Sequence, residues 1–215
     1  MPTMPRVSLF ICALLLAGSG FAAPREHTIL FAPWRSVEVW RDSGDKQPAR
    51  VRDLAVDGKP REHTTGATHE VTDRYFVVRR AYRLNDALPD ETKKSVQWLW
   101  RLGGWISIDR QTGRVSQLNL PAFDDETSDA AWYRDYVAYC GSSDDGLKNY
   151  MVVSQLGRRK AILRKEYSGP PCAAPKWERA PSRVTFIAGE EKITFTVRAH
   201  SADLQPDPTE EENQQ

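Results

Sequence analysis

The sequence has 215 residues, 40% of them hydrophobic, with seven Trp, seven Tyr and seven Phe to build a core. Its 30 Lys+Arg and 29 Asp+Glu leave a formal net charge of +1. Beyond residue 22 no stretch is apolar enough for a membrane-spanning helix, so a helical integral membrane protein is excluded.

In chain order the first element is a targeting segment. Arg6 precedes the apolar run Val7–Ala17, and Gly20-Phe21-Ala22 sets small residues three and one before a cut after Ala22. This is the order of a cleavable secretory signal, and the run is too short to span a bilayer. Residues 1–22 are therefore expected to be removed and the rest exported to the periplasm or beyond. The leader takes away one base and no acid. The five acids Asp203, Asp207, Glu210, Glu211 and Glu212 lie beyond residue 202 with no base, which leaves residues 23–202 at +5. The sequence thus divides into leader 1–22, one β-rich domain over 23–202 and an acidic, disordered tail over 203–215.

Trp34–Asp42 alternates Val37 and Val39 with Glu38 and Arg41, as a strand does. Arg61–Glu70 is polar and reads as an exposed loop. As a hairpin with Gly66 at its tip it would instead set His63 against His69, the weak candidates for a metal such as zinc. Tyr75–Leu84 is rich in strand formers. Asp90–Lys94 has the polarity of a single helical turn. Val96–Leu102 places Val96, Trp98, Trp100 and Leu102 on one face, predicted to meet the core. Ile106–Asp109 then turns through Arg110–Gly113 into Val115–Leu118, and Gly113 supplies a positive φ there. Asp124–Ala131 holds a second possible helical turn, with Asp124 or Ser128 as its cap. Tyr136–Tyr139, Tyr150–Val153 and Ala161–Leu163 are strands joined by turns at Ser143–Gly146 and Leu156–Arg159. Past a proline-rich link, Arg183–Phe186 and Ile193–Val197 flank a final turn.

Short strands joined by hairpins, without helical crossovers, predict an all-β antiparallel fold: a sandwich, an irregular barrel or a small propeller-like assembly. Asp109-Arg-Gln-Thr-Gly113-Arg-Val115 and Arg134–Tyr139 with Asp144-Asp145-Gly146 resemble the strands and turns of TolB-like β-propeller blades. The stretch Trp132–Gly146 with Gln155–Lys160 is similar to a group of exported bacterial proteins of unassigned function. That resemblance implies export and no activity.

Removal of Cys12 with the leader leaves Cys140 and Cys172. In an oxidising compartment these are expected to pair, the alternative being a reactive Cys140 at a strand end. Trp132 and Tyr133 follow a polar stretch, which suits a rim position, and Arg158 and Arg159 belong to a basic strip. These four are the candidate binding residues for an envelope protein or a glycan. Nucleic acid is excluded by the compartment. No P-loop, dinucleotide fingerprint or G-x-S-x-G elbow is present, so no cofactor and no catalytic residue are assigned. The expected function is a non-enzymatic binding or accessory module. The alternative is a periplasmic hydrolase whose carboxylates, or His and Glu, meet only in the fold.

Overall fold

The computed structural model describes residues 26–85, 98–169, 172–180, 182–199 and 201–205. The leader, the Asp90–Lys94 turn and Val96 lie outside the described residues, as do tail residues 206–215. All regular elements among the described residues are strands, arranged in three sheets.

The first sheet is built from β1 (Ile29–Phe31), β2 (Arg35–Trp40), β3 (Lys46–Val56), β4 (Lys59–Glu70), β5 (Tyr75–Asn85), β6 (Trp98–Asp109) and β7 (Val115–Gln117). Its order is β1-β3-β2-β6-β5-β4, with β7 on β6 and a further β3–β4 pairing. The path β3-β2-β6-β5-β4 therefore returns to β3 and makes the sheet ring-like. All its pairings are antiparallel except β2–β6, which meet through one parallel bridge, Val39 to Trp100. Register shifts at Leu54/Ala55, between Thr65 and His69 and between Arg79 and Ala81 bend the strands. Bulges of this kind sharpen the local twist, which a sheet this curved requires. Leu54, Phe76, Val78, Ile106 and Ile108 form its core, closed by Ile29, Phe31 and Val115.

The second sheet is a meander of β8 (Ala131–Tyr133), β9 (Tyr136–Ser142), β10 (Asn149–Gln155) and β11 (Leu163–Tyr167). The third is a meander of β12 (Lys176–Arg179), β13 (Ser182–Ala188), β14 (Glu191–Val197) and β15 (Ala202–Leu204). These two pack as a sandwich. Ala138, Cys140, Met151, Val153 and Tyr167 meet Val184, Phe186, Ile193, Phe195 and Val197 in one core. The other face of β9 and β10 presents Val137, Tyr139 and Val152 to Leu120, Phe123 and Trp132. Burial on both faces explains why Tyr136–Cys140 and Tyr150–Val153 read as continuous apolar runs. The predicted disulfide joins Cys140 on β9 to Cys172 in the β11–β12 link, with Cα atoms 5.9 Å apart.

The predicted all-β antiparallel class is the observed one, and four local readings are corrected. Arg61–Glu70 is neither loop nor hairpin: it belongs to β4, one 12-residue strand paired to β3 and β5, and Gly66 lies in its bulge. Val96–Leu102 and Ile106–Asp109 are not separate strands, because β6 runs through Gly103-Gly104 without a turn. The shared face of Trp98 and Trp100 does not meet the core, and Trp98 is 54% exposed. Beyond the register shift, Trp105 is the buried indole of this strand, at 8%. Finally, Asp203 and Leu204 are not tail. They pair with Thr196 and Phe195 of β14, where the backbone gains strand hydrogen bonds that an isolated acidic segment lacks.

The Asp124 turn forms as its cap residues predict. Asp124 Oδ1 accepts from the Glu126 and Thr127 amides, and the Ser128 hydroxyl donates 2.6 Å to the Cys140 carbonyl. Gly113 has φ +64° in the β6–β7 turn, where a Cβ would press on His27 and Val56.

Candidate functional site

The five strands of the ring each contribute a side chain to one half-exposed cluster. Asp53 on β3 is cross-strand to His63 on β4, and Arg83 on β5 is cross-strand to Trp100 on β6. Alternation therefore sends each pair to one side of the sheet. Arg35 on β2 reaches over, and its Nη2 donates to Asp53 Oδ1 at 2.6 Å. The same Asp53 oxygen lies 2.6 Å from His63 Nδ1. A carboxylate oxygen accepts, so Nδ1 carries the proton and Nε2 is left facing away from Asp53. The imidazole meets Trp100 edge to face at 5.0 Å. Arg83 lies 5.3 Å from the Trp98 ring and 5.4 Å from the Trp100 ring, and Arg35 lies 5.9 Å from Trp100.

This arrangement offers two indoles, two guanidinium groups and a carboxylate–imidazole pair on one open surface. Indole faces take the C–H face of a saccharide ring, while Arg, Asp and His suit its hydroxyl or acidic groups. Arg35, Asp53 and Arg83 carry no sequence signal that links them to Trp98, since they lie on three different strands and Arg35 precedes Trp98 by 63 residues (98 − 35).

The four predicted binding residues do not form one face. Trp132 and Tyr133 are neighbours on β8 and point to opposite sides. Trp132 joins the first two sheets, stacked on His69 at 5.7 Å and edge to face with Trp105 at 5.2 Å. Tyr133 turns to the third sheet, 5.5 Å from Trp177, and its hydroxyl donates to the Arg179 carbonyl at 3.2 Å. Arg158 and Arg159 are exposed in the β10–β11 turn, at the Tyr133 end of the second sheet. His63 and His69 serve separate contacts: His63 bonds Asp53, whereas His69 Nε2 donates to the Arg134 carbonyl at 2.7 Å. Among the described residues no three His, Cys, Asp or Glu side chains group to hold a metal ion.

Asp124, Asp125 and Glu126 line a different feature, a cleft of about 490 Å³ between β6 and the 117–126 segment. Arg101 Nη1 donates to Asp42 and to Glu126, each at 2.6 Å, and both Glu126 oxygens accept from the Asp42 amide. Burial pushes the Asp125 carboxyl above its ordinary value, against the opposing pull of Arg79. Burial acts upward on Asp124 too, but hydrogen bonds from Thr127 and Glu126 outweigh it and hold that carboxyl low. Asp124 and Glu126 are therefore committed to holding the loop, not to a reacting bond. Arg79 is anchored beneath the loop, donating 2.7 Å to the Asp125 carbonyl. No helix among the described residues is long and apolar enough to cross a membrane. Comparison with protein-family models, with curated proteins and with solved structures finds no match to this chain.

Proposed function

We propose that the chain is an exported, periplasmic binding module that takes an envelope glycan at the ring cluster. The observation that carries this reading is Trp98, a large aromatic 54% exposed beside Arg83, which also lies against Trp100, the indole that meets His63. An indole left open to water and flanked by hydrogen-bonding groups serves a ligand better than it serves a core. The leader sequence and the Cys140–Cys172 bridge support the compartment. The test is retention of the exported chain on insoluble peptidoglycan, with intrinsic tryptophan fluorescence as a second readout. Trp98→Ala is expected to weaken binding about fivefold to tenfold, the loss of about 1 kcal/mol of ring contact. Retention equal to the wild type would overturn the reading, as would no retention of either protein.

The Asp53–His63 pair favours a second reading, the hydrolase. A carboxylate that fixes the imidazole tautomer leaves Nε2 free to take a proton from water. Release of reducing ends from the same glycan, abolished in His63→Gln while binding persists, is the outcome that reading requires.

A further inference from the structure

Two turns and the end of one strand bring five exposed cations to one end of the sandwich. The β8–β9 turn holds Arg134, the β10–β11 turn holds Arg158, Arg159 and Lys160, and Arg179 ends β12. The register fixes their company. Gln155 pairs with Tyr136, and the Leu156 amide donates to the Asp135 carbonyl at 2.9 Å, so the β10–β11 turn emerges beside the β8–β9 turn. The Tyr133 hydroxyl, bonded to the Arg179 carbonyl, holds the end of β12 at the same place. From β10 to β8 this row crosses two strand spacings, about 10 Å, before it reaches Arg179. Two acids of this end are already engaged. Asp135 accepts from Gln155 Nε2 at 2.7 Å, and Glu178 pairs with Arg183 at 3.6 Å. Half-buried Tyr133 and Trp177 pack together at this end, with the Arg134 guanidinium 5.4 Å from the Tyr133 ring.

We infer that this end is a peripheral docking face for an anionic phospholipid surface. Four of the five cations sit on turns, and Arg179 ends the outer strand β12 with its carbonyl already taken by the Tyr133 hydroxyl, so the cations do not line a strand edge that could add an extended acidic peptide. A planar array of phosphates meets both turns and the end of β12 at once, and a positive cluster is drawn to it within a Debye length. The face lies apart from the ring cluster in sequence and in sheet, so the chain holds a membrane surface at one place and a glycan at another.

The experiment is sedimentation of the exported chain, its N terminus read by mass spectrometry, with vesicles of phosphatidylcholine alone or mixed with phosphatidylglycerol. Binding to the mixed vesicles at low salt is expected, with none to neutral vesicles and release in about 1 M salt, where screening reaches about 3 Å. Arg159→Gln/Lys160→Gln is expected to lose about 25-fold in partitioning, about fivefold per cation. Trp98→Ala is expected to bind vesicles as the wild type does, and the Gln pair to bind peptidoglycan unchanged, so either proposal can fail alone. Equal binding to neutral vesicles, or an unaffected Gln pair, overturns the inference. So does soluble polyglutamate that binds as tightly as the vesicles, which assigns the face to an acidic protein.

Discussion

Gly141 lies where β9 passes beneath the Pro121–Phe123 segment. The Ser142 amide donates to the Ala122 carbonyl at 3.0 Å, and a β-carbon on Gly141 would overlap that same carbonyl. No side-chain rotation relieves a clash between two backbones. Gly141→Ala is expected to destabilise the fold by upwards of about 4 kcal/mol, read as a fall in the urea midpoint. A milder effect is expected at Asp109. Its carboxylate accepts from Arg74 Nε at 3.0 Å and Nη2 at 2.6 Å, and from the Gln111 amide. These donors, Arg74 foremost, hold the carboxyl well below the usual carboxylate range. A depressed folded value means the unfolded chain binds the proton first. The stabilisation is therefore complete above about pH 4 and is lost as pH falls through the folded value. Asp109→Asn should be less stable than the wild type at neutral pH and lose less on acidification. Urea titrations across that range check the sign.

At the scale of elements, β4 is the instructive strand. Lys59–Glu70 carries one proline, one glycine, two His and two Glu, and no pattern of alternation marks it as sheet. It is a strand because β3 and β5 lie on either side and satisfy its backbone, a tertiary cause that overrides its composition. Thr64 and Thr65 show how its polar residues are accommodated: each is buried, and each hydroxyl donates to a β3 carbonyl. β8 shows the opposite case, a short element doing two jobs through strict alternation. Trp132 packs toward the ring-like sheet and Tyr133 toward the third sheet, so three residues couple all three sheets.

For the whole molecule the disulfide is the long-range constraint. It closes a loop of 32 residues in sequence separation, and Cys140 and Cys172 both pack in the core shared by the second and third sheets. The entropy of that closure corresponds to about 3–4 kcal/mol. Cys172→Ser is expected to lower the melting temperature by about 10 °C, and the wild-type mass to rise by two hydrogens on reduction. An unchanged mass would show the thiols free. The same construction separates the two proposed surfaces, with the glycan cluster on the ring-like sheet and the cationic turns at the sandwich end. Their independence follows because each is assembled from different strands.

The sequence by itself determined the class of fold, most hairpins of residues 106–197 and the cysteine pair. Those features rest on local causes: apolar runs buried on both faces, turn residues such as Gly113, and two thiols in one oxidised chain. It could not show that Arg35, Asp53, His63, Arg83 and Trp100 meet, because five strands of a ring bring them together only after every pairing has formed. Nor could it reveal that Trp98 faces water. Even spacing in a strand says which residues share a side of the sheet, while the closure of that sheet decides whether the side is core or surface.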